Sequence, residues 1–376
     1  MTTLAELTTM RVGGPAERVI TARDADELAA RTRELWDAGE PWLLLGGGSN
    51  TVVCDEGFPG TVLLVRSEGI ARVEDESLGE DRVRLRVQAG HDWDALVAAC
   101  VERGWSGIEA LSGIPGSAGA APVQNIGAYG QELAGVLHSV EFLDAELGEA
   151  IRLSAAELEF GYRSSVLKGS ASEPGREGVV LSIDIVLEAD PDRENPPSQP
   201  IAYGQLADEL GVTIGDRVSL RELRRAVLRL RASKGMVLDE ADHDTWSAGS
   251  FFTNPIVSER FARELPPGAP RYPVAGDEAE AAVTTFEELA AGVPLRVPPS
   301  PSPRTLKLSA AWLIEHSGIS RGFRLPGSGA AISSKHTLAI TNLGGATAGD
   351  VAQLARYVVQ RVQSEFGVLL HPEPNL

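Results

Sequence analysis

The stretch TWSAGSFFTNP, Thr245–Pro255, sets one hydroxyl, that of Ser250, among small residues and two phenylalanine rings. No Asp, Glu or His lies within it, so nothing local would activate a nucleophile. No G-x-S-x-G elbow surrounds Ser49, Ser117, Ser250 or Ser328, which disfavours a serine hydrolase. Taken alone, Ser250 reads as a capping or turn serine. Arg163, in FGYRSS, carries a donor fork suited to a carboxylate, although an isolated Arg is commonly a surface ion pair. Glu373 sits in a short tail, where acids are usually solvated. Only Pro372, Pro374 and the apolar GVLL ahead of them argue that this tail is held.

Gly46, Gly47, Gly48, Ser49 and Asn50 follow an apolar run and invite a dinucleotide-binding reading. That fingerprint needs a third glycine, where Thr51 stands, and then a helix, where TVVCD is suited to a strand. For the pentapeptide alone, an ordinary tight turn and an anion cradle of bare N–H groups both remain open. The second small-residue stretch, LSGIPGSAGAAPVQNIGAYG (111–130), is more specific. Gly113, Gly116, Gly119 and Gly127 allow close backbone approach, while Pro115 and Pro122 stiffen the path. Gln124 and Asn125 add amides able to pair with a heterocycle edge. A solvated linker would need no Ile114, Val123, Ile126 or Tyr129, so this segment reads as backbone wrapped around a ligand.

The elements that must position these residues follow from periodicity. ERVITA (17–22) predicts a strand, and DADELAARTRELWDAG a helix with Leu28, Arg31, Leu35 and Trp36 along one side and Gly39 as its stop. PWLLLGGGSN predicts a buried strand entering the glycine turn, and TVVCDEGFPGTVLLV a strand, a turn and a strand. DRVRLRVQAG alternates as a strand with one wet face, and DWDALVAACVERG predicts an amphipathic helix ending at Gly104. VLHSVEFLDA and GVVLSIDIVLEA predict sheet strands with SAAELEF a short helix between them; PDRENPPSQP predicts an exposed loop, and SLRELRRAVLRLRASKG a basic-faced helix. The Pro-rich, acidic stretch at about 263–304 predicts an irregular, partly mobile excursion with one short helix. LKLSAAWLIEHSG predicts a helix, and AGDVAQLARYVVQRVQSEFG a long one with Val351, Leu354, Ala355, Val358, Val359, Val362 and Phe366 on its apolar face. Strands and helices interleave without a steady βαβα rhythm, which favours α+β.

With 376 residues, 43% of them hydrophobic, the chain can form two or three domains with real cores. A formal net charge of -19 excludes a broad cationic footprint for nucleic acid, so an anionic ligand must be held by a few local Arg, Lys and N–H groups. The first residues lack a basic and an apolar signal region, and no long apolar run follows; a cytoplasmic protein without membrane insertion is expected. Cys54 and Cys100 are too few for a disulfide framework, and the six His show no H-E-x-x-H spacing, so no metal site is expected.

Taken in order over nearly the whole chain, TTMRVGGPA (8–16), LGGGSN (45–50), SGIPGSAGAAPVQNIGAYG (112–130), FGYRSS (160–165), AYGQLADEL (202–210), RASKG (231–235), AGSFFTNP (248–255), LKLSAAWLIEHSG (306–318) and HPEP (371–374) resemble the UDP-N-acetylenolpyruvoylglucosamine reductase (MurB) family. The resemblance implies a vanillyl-alcohol-oxidase type FAD-binding fold, with subdomains over 1–66 (joined by 345–376) and 67–230, and a C-terminal α+β substrate-binding domain over 231–344. It implies non-covalent FAD, held by Gly46–Asn50, Ser112, Gly113, Pro115, Gly116, Gly119, Gln124, Asn125, Ile126, Gly127, Ala128 and Tyr129. It further implies NADPH-dependent reduction of the enolpyruvyl ether of UDP-N-acetylglucosamine to UDP-N-acetylmuramate, in peptidoglycan precursor synthesis, by a protein expected to be monomeric. Flavin N5 would deliver hydride to the methylene carbon, and Ser250 would give the adjacent carbon its proton. Arg163 would face the substrate carboxylate, and Glu373 would assist the enol. Tyr203, Arg231, Lys234, Asn254 and Lys307 would lie on the substrate side, the lysines toward the diphosphate. This chain departs from the family at Ser247, often Asn, and at Thr253, often Lys, and the spacing from Lys234 to Ser250 is long. The rival readings are an alcohol oxidase of the same fold, with His91 as the candidate for a covalent flavin link, and a non-catalytic nucleotide-sugar binder.

Overall fold

The computed structural model describes residues 2–168, 174–190, 196–274 and 304–375. The first unit is a small parallel sheet in the order β1 (Ala16–Ala22), β3 (Phe58–Val65), β2 (Trp42–Leu45). Helix α1 (Ala25–Ala38) starts where the Asp24 carboxylate accepts the Glu27 N–H at 2.7 Å and stops at Gly39, which adopts φ 65°. Its buried face is Leu28, Ala29, Thr32 and Leu35; Arg31 and Trp36, expected on that face, are only half-buried. The expected strand through TVVCD does not join the sheet. Val52 and Val53 are buried in extended chain, and Thr51 forms an isolated parallel bridge with Asn375 of the C-terminal tail. No helix follows the glycine turn, as the β-branched residues require.

The second unit is an antiparallel sheet in the order β10 (Ala150–Ser154), β9 (Leu137–Asp144), β11 (Gly178–Ala189), β5 (Arg82–Gln88), β4 (Ile70–Val73), with the short β6 (Trp105–Ser106) alongside β11. The alternation of β5 is realised: Val83, Leu85 and Val87 enter a core with α2 (Trp93–Glu102), while Arg84 and Arg86 turn to the other face and bond the fully buried Asp184. β10 was not foreseen, and the helix expected after it is a single 3-10 turn at Ala156–Leu158. Within the loop expected at 191–200, Ser198 is fully buried; residues 191–195 lie outside the described residues. Between α2 and β9 runs the small-residue segment, carrying the two-residue hairpin β7 (Gly127–Ala128) and β8 (Gln131–Glu132).

Helices α3 (Gly204–Leu210) and α4 (Leu220–Ser233) pack on each other and deliver the chain to Lys234. The remainder holds α5 (Glu259–Ala262), a small antiparallel sheet in the order β12 (Ile256–Ser258), β14 (Thr305–Leu308), β13 (Arg271–Pro273), then α6 (Ala310–His316), the hairpin of β15 (Ala330–Ile332) with β16 (Ile340–Asn342), and α7 (Ala348–Phe366). The LKL run expected to open a helix is thus the central strand of that sheet. Within the irregular excursion expected at 263–304, Arg271–Pro273 is an edge strand; its centre, 275–303, lies outside the described residues. Val351, Leu354, Ala355, Val358 and Val362 of α7 are buried, with Val359 and Phe366 partly so, and they face α6 and the β15–β16 hairpin. Helix α7 is tied to the first subdomain at its start, where the Ala348 and Gly349 N–H groups donate to the Asp55 carboxylate at 2.7 and 3.0 Å. Its core is the C-terminal one, to which the amino-terminal region adds Met10, Val12 and Val52. No helix among the described residues is long and apolar enough to cross a membrane.

Leu354 is fully buried in this shared core, whereas Arg356 on the same helix is exposed. Leu354→Ala is expected to lower stability by about 2–5 kcal/mol and Arg356→Ala by no more than about 0.5 kcal/mol, read by urea denaturation. Equal losses would mean that this face does not carry the core.

Candidate active site

The two small-residue segments interlock. A Cβ on Gly46 would lie 2.4 Å from Ser117 Oγ, and one on Gly47 2.7 Å from Gly116 Cα. A Cβ on Gly48, at φ 64°, would strike the Leu7 carbonyl oxygen at 2.1 Å. The glycines are thus demanded first by contact between loops, and the shared surface they leave is lined by backbone. Among the described residues, the N–H groups of Gly47, Gly48, Ser49 and Asn50 have no protein acceptor. Unpaired donors in a turn suit an anion. These loops line a cavity of about 520 Å³, in the size range of cofactor sites. The half-buried Arg231 also lines the cavity, bonds Met236 O at 3.0 Å and leaves its buried Nε without a partner among the described residues. Free turn donors, a half-buried arginine with one unpaired N–H and close-packed loops fit a phosphate-bearing cofactor.

Ser250, Arg163 and Glu373 line the same cavity, although they lie far apart in the chain. Glu373 arrives because the tail is stitched to both loops. Its N–H donates to Phe251 O at 2.9 Å, Phe252 bridges Pro372, and Asn375 exchanges bonds with Asn50 O at 3.0 Å and Val52 N at 2.9 Å. Arg163 holds a left-handed backbone at φ 55°, a conformation costing a non-glycine residue on the order of 1–3 kcal/mol. Its guanidinium donates to Gly127 O at 2.9 Å and Asn125 O at 3.3 Å, and its Nε lies 3.4 Å from Glu373 Oε1. Burial pushes the Glu373 carboxyl above the usual range, against the opposing pull of Arg163 and Lys168. The Ser250 hydroxyl has no partner among the described residues.

Of the residues expected at the cofactor, Gly46–Asn50, Pro115, Gly116, Gly119, Gln124, Ile126 and Gly127 line the cavity; Ser112, Gly113, Asn125, Ala128 and Tyr129 do not. The Asn125 amide is spent inside the protein, bonding Glu132, Gly161 O and the Ala134 N–H, so it holds the Arg163 loop and cannot read a heterocycle. Gln124 joins the reactive group instead, with Nε2 3.2 Å from Glu373 Oε1. Ser112 bonds Glu109 O within its own turn, and Gly113 gives its N–H to Asp94. Tyr129 falls in a second cluster. Its ring meets Tyr203 edge-on at 5.7 Å, and Lys234 Nζ sits 5.6 Å from its centre. Lys307 Nζ lies over the Tyr162 ring at 4.6 Å, while Asn254 Oδ1 accepts the Ala310 N–H at the start of α6, a structural use.

Sequence reasoning passed over Lys168, which lines the cavity and bonds Gln124 Oε1 at 3.3 Å and Arg163 O at 3.2 Å. Its signal was its place five residues after Arg163. It also passed over His336, which burial, with Lys234 and Arg321 nearby, pushes down to about 4, so that it stays neutral at pH 7. No motif marked it. His91 is not among the residues lining the cavity; its Nδ1 accepts the Gly69 N–H at 3.4 Å, and its Nε2 is buried without a partner among the described residues.

Interlocked glycine loops over a cavity, without a helix at the glycine turn, define an α+β cofactor-binding protein outside the dinucleotide-fold class. Residues 16–154 match the family description "FAD binding domain", and residues 240–376 match "UDP-N-acetylenolpyruvoylglucosamine reductase, C-terminal domain". The chain belongs to the UDP-N-acetylenolpyruvoylglucosamine reductase family. It is 60% identical over 381 residues to the protein of that name from Leifsonia xyli, covering 99% of this chain and 97% of that one. It is 48% identical to the one from Salinispora arenicola, covering 99% and 94%. The crystal structure of the reductase from Thermus caldophilus superposes with a TM-score of 0.60 at 26% identity, covering 100% of this chain and 97% of that chain.

A carboxyl whose folded pKa lies above its unfolded value favours folding below the unfolded value, and that contribution is lost as pH rises through the folded one. For Glu373 the window opens above the ordinary carboxylate range. The thermal midpoint of Glu373→Gln, neutral throughout, is therefore expected to gain on that of the wild type between pH 4 and pH 8. Parallel curves would show that burial does not raise this carboxyl.

Proposed function

We propose that this chain reduces the enolpyruvyl ether of UDP-N-acetylglucosamine to UDP-N-acetylmuramate, with NADPH as reductant and FAD as the bound cofactor. The observation that carries this reading is the convergence of Ser250, Arg163 and Glu373 on the cavity lined by the FAD-binding loops. The free N–H groups of Gly47–Asn50 would hold the cofactor's diphosphate. FAD bound there would supply the reducing equivalents of NADPH for the methylene carbon of the enol ether.

Reduction at that carbon sends electron density toward the conjugated carboxylate and leaves its neighbour in need of a proton. The Arg163 guanidinium pairs with the carboxylate and gains strength as charge grows there, so it favours the transition state over the ground state. Its fixed backbone and its bonds to the Asn125 and Gly127 carbonyls spare it reorganisation. Glu373, whose carboxyl burial pushes above the usual range, would assist the same developing enolate in its protonated form. The Ser250 hydroxyl gives the proton to carbon. A serine is a weak acid, but the acceptor is carbanion-like, so position outweighs intrinsic pKa. Lys234, Tyr203 and Tyr129 form the nucleotide side, with Lys234 as the cation for the substrate diphosphate; Arg231 and the neutral His336 lie beside it.

The test is anaerobic. NADPH is added to the FAD-loaded protein until the flavin absorbance bleaches, then the enolpyruvyl nucleotide sugar is supplied. Recovery of absorbance with formation of the lactyl ether is expected; no recovery would sink the reading. Ser250→Ala should bleach at the wild-type rate and recover about 10²–10⁴-fold more slowly. Arg163→Ala should lose about 2.7–4 kcal/mol of transition-state stabilisation in the same recovery step. Equal slowing of bleaching and recovery in Ser250→Ala would remove Ser250 as the proton donor.

A further inference from the structure

Thr9 is buried at 8% exposure and serves two subsites at once. Its N–H donates to Gly48 O at 3.1 Å, in the glycine cradle. Its hydroxyl donates to Ser247 O at 2.7 Å, in the loop that carries Ser250. Ser247 Oγ in turn accepts the N–H of Gly249, at 3.2 Å. Gly249 stands at φ 74°, next to Ser250. The Ser250 side chain itself is anchored by nothing, because its hydroxyl has no protein partner among the described residues. Its aim is therefore set by its backbone, and that backbone is held from two directions. On the carboxyl side, Phe251 N–H donates to Leu338 O at 2.7 Å, and Phe251 O accepts from Glu373 N–H at 2.9 Å. On the amino side, Thr9 supplies a side-chain bond that reaches Ser247 from the cradle.

The surroundings leave Thr9 little alternative. Asn342 Nδ2 fixes the next two carbonyls, Met10 O at 3.1 Å and Arg11 O at 3.0 Å, and the Asn342 N–H takes Trp246 O at 3.0 Å. The Arg11 guanidinium covers the Trp246 ring at 4.3 Å. Residues 9–11 and 246–247 are thus registered against each other, with the Thr9 hydroxyl as the link nearest the reactive loop.

We infer that Thr9 is a positioning residue for proton transfer: its hydroxyl fixes the Ser250 loop relative to the glycine cradle, and so sets the Ser250 hydroxyl against the bound cofactor and the carbon between them. The inference rests on Ser250 as the proton donor. A displacement of about 1 Å at a reacting group can cost on the order of 10²-fold in rate. A valine in place of Thr9 keeps the shape and the N–H bond to Gly48 while deleting only the hydroxyl.

The experiment compares FAD-loaded wild type, Thr9→Val, Thr9→Ser, Ser247→Ala and Ser250→Ala in the anaerobic half-reactions, with hydrogen exchange of the same proteins. Thr9→Val is expected to keep the wild-type flavin spectrum and bleaching rate. Its recovery by the enolpyruvyl nucleotide sugar should slow about 10–10²-fold, with faster amide exchange confined to peptides covering Ser247–Phe252. Thr9→Ser should restore recovery, and Ser247→Ala, which leaves Thr9 bonded, should reproduce part of the defect. Wild-type recovery in Thr9→Val, or a loss shared equally by bleaching and recovery, would overturn the inference. If Thr9→Val does not fold, Ser247→Ala decides alone, and an unchanged recovery in it overturns the inference. Absence of a selective defect in Ser250→Ala would instead remove the proton-donor reading beneath it.

Discussion

The backbone bond from Glu373 N–H to Phe251 O, 2.9 Å long, is the constraint on which the site depends. Through it the C-terminal tail lies alongside the loop of Ser250, and two residues further on Asn375 is bonded to Asn50 O and Val52 N, beside the glycine cradle. The cradle is tied back through Gly48 to Thr9, and from Thr9 to Ser247. A closed ring of hydrogen bonds thus runs through four segments remote in sequence. Each such bond contributes only about 0.5–1.5 kcal/mol net, so no single one decides whether the chain folds. Their effect is geometric. Because nearly every link is main chain, the ring fixes relative position without dictating side chains: the Ser250 hydroxyl stays unpartnered among the described residues, and the Glu373 carboxyl turns to Gln124 and Arg163.

The rest of the fold explains why the ring can close. The long helix α7 carries the chain back from the C-terminal core, and its apolar face sets where the tail emerges. Met10, Val12 and Val52 bury themselves in that same core, so the amino-terminal region and the C-terminal unit share one hydrophobic body. The second unit contributes differently. Asn125, fully engaged with Glu132, Gly161 O and the Ala134 N–H, clamps the loop that presents Arg163. The strained backbone of Arg163 is held by that clamp and by its own bonds to Asn125 O and Gly127 O. Positive charge is thereby delivered to the half-buried Glu373 carboxyl, 3.4 Å from the Arg163 Nε.

Much of this was legible in the sequence where local physics decides. Helix α1 begins and ends at its cap residues, β5 alternates as its apolar and charged residues demand, and α7 buries the stripe that its spacing marks. The β-branched TVVCD ruled out a helix after the glycine turn, though it hid that these residues pair with the tail, a partner more than 300 positions away. Short strands such as β13 and β14 were missed because three or four residues carry too little periodicity, and LKL ran directly into a helical pattern. Ser250, Arg163 and Glu373 were named by ordered family motifs, since none stands out from its own neighbours. Asn125 was misread because amide chemistry on paper does not say whether the amide is already satisfied. Lys168 had only its place five residues after Arg163 to mark it, and His336 owes its place to tertiary packing.

The most direct measurement is a crystal structure of the FAD-loaded protein with the enolpyruvyl nucleotide sugar. The account predicts the enolpyruvyl group between Ser250 and Arg163, with the Ser250 hydroxyl within about 3.2 Å of the carbon bearing the carboxylate and the guanidinium on that carboxylate. The diphosphate should lie toward Lys234. A substrate whose carboxylate avoids Arg163, or a Ser250 hydroxyl turned into its own loop and out of reach of the reacting carbon, would contradict it.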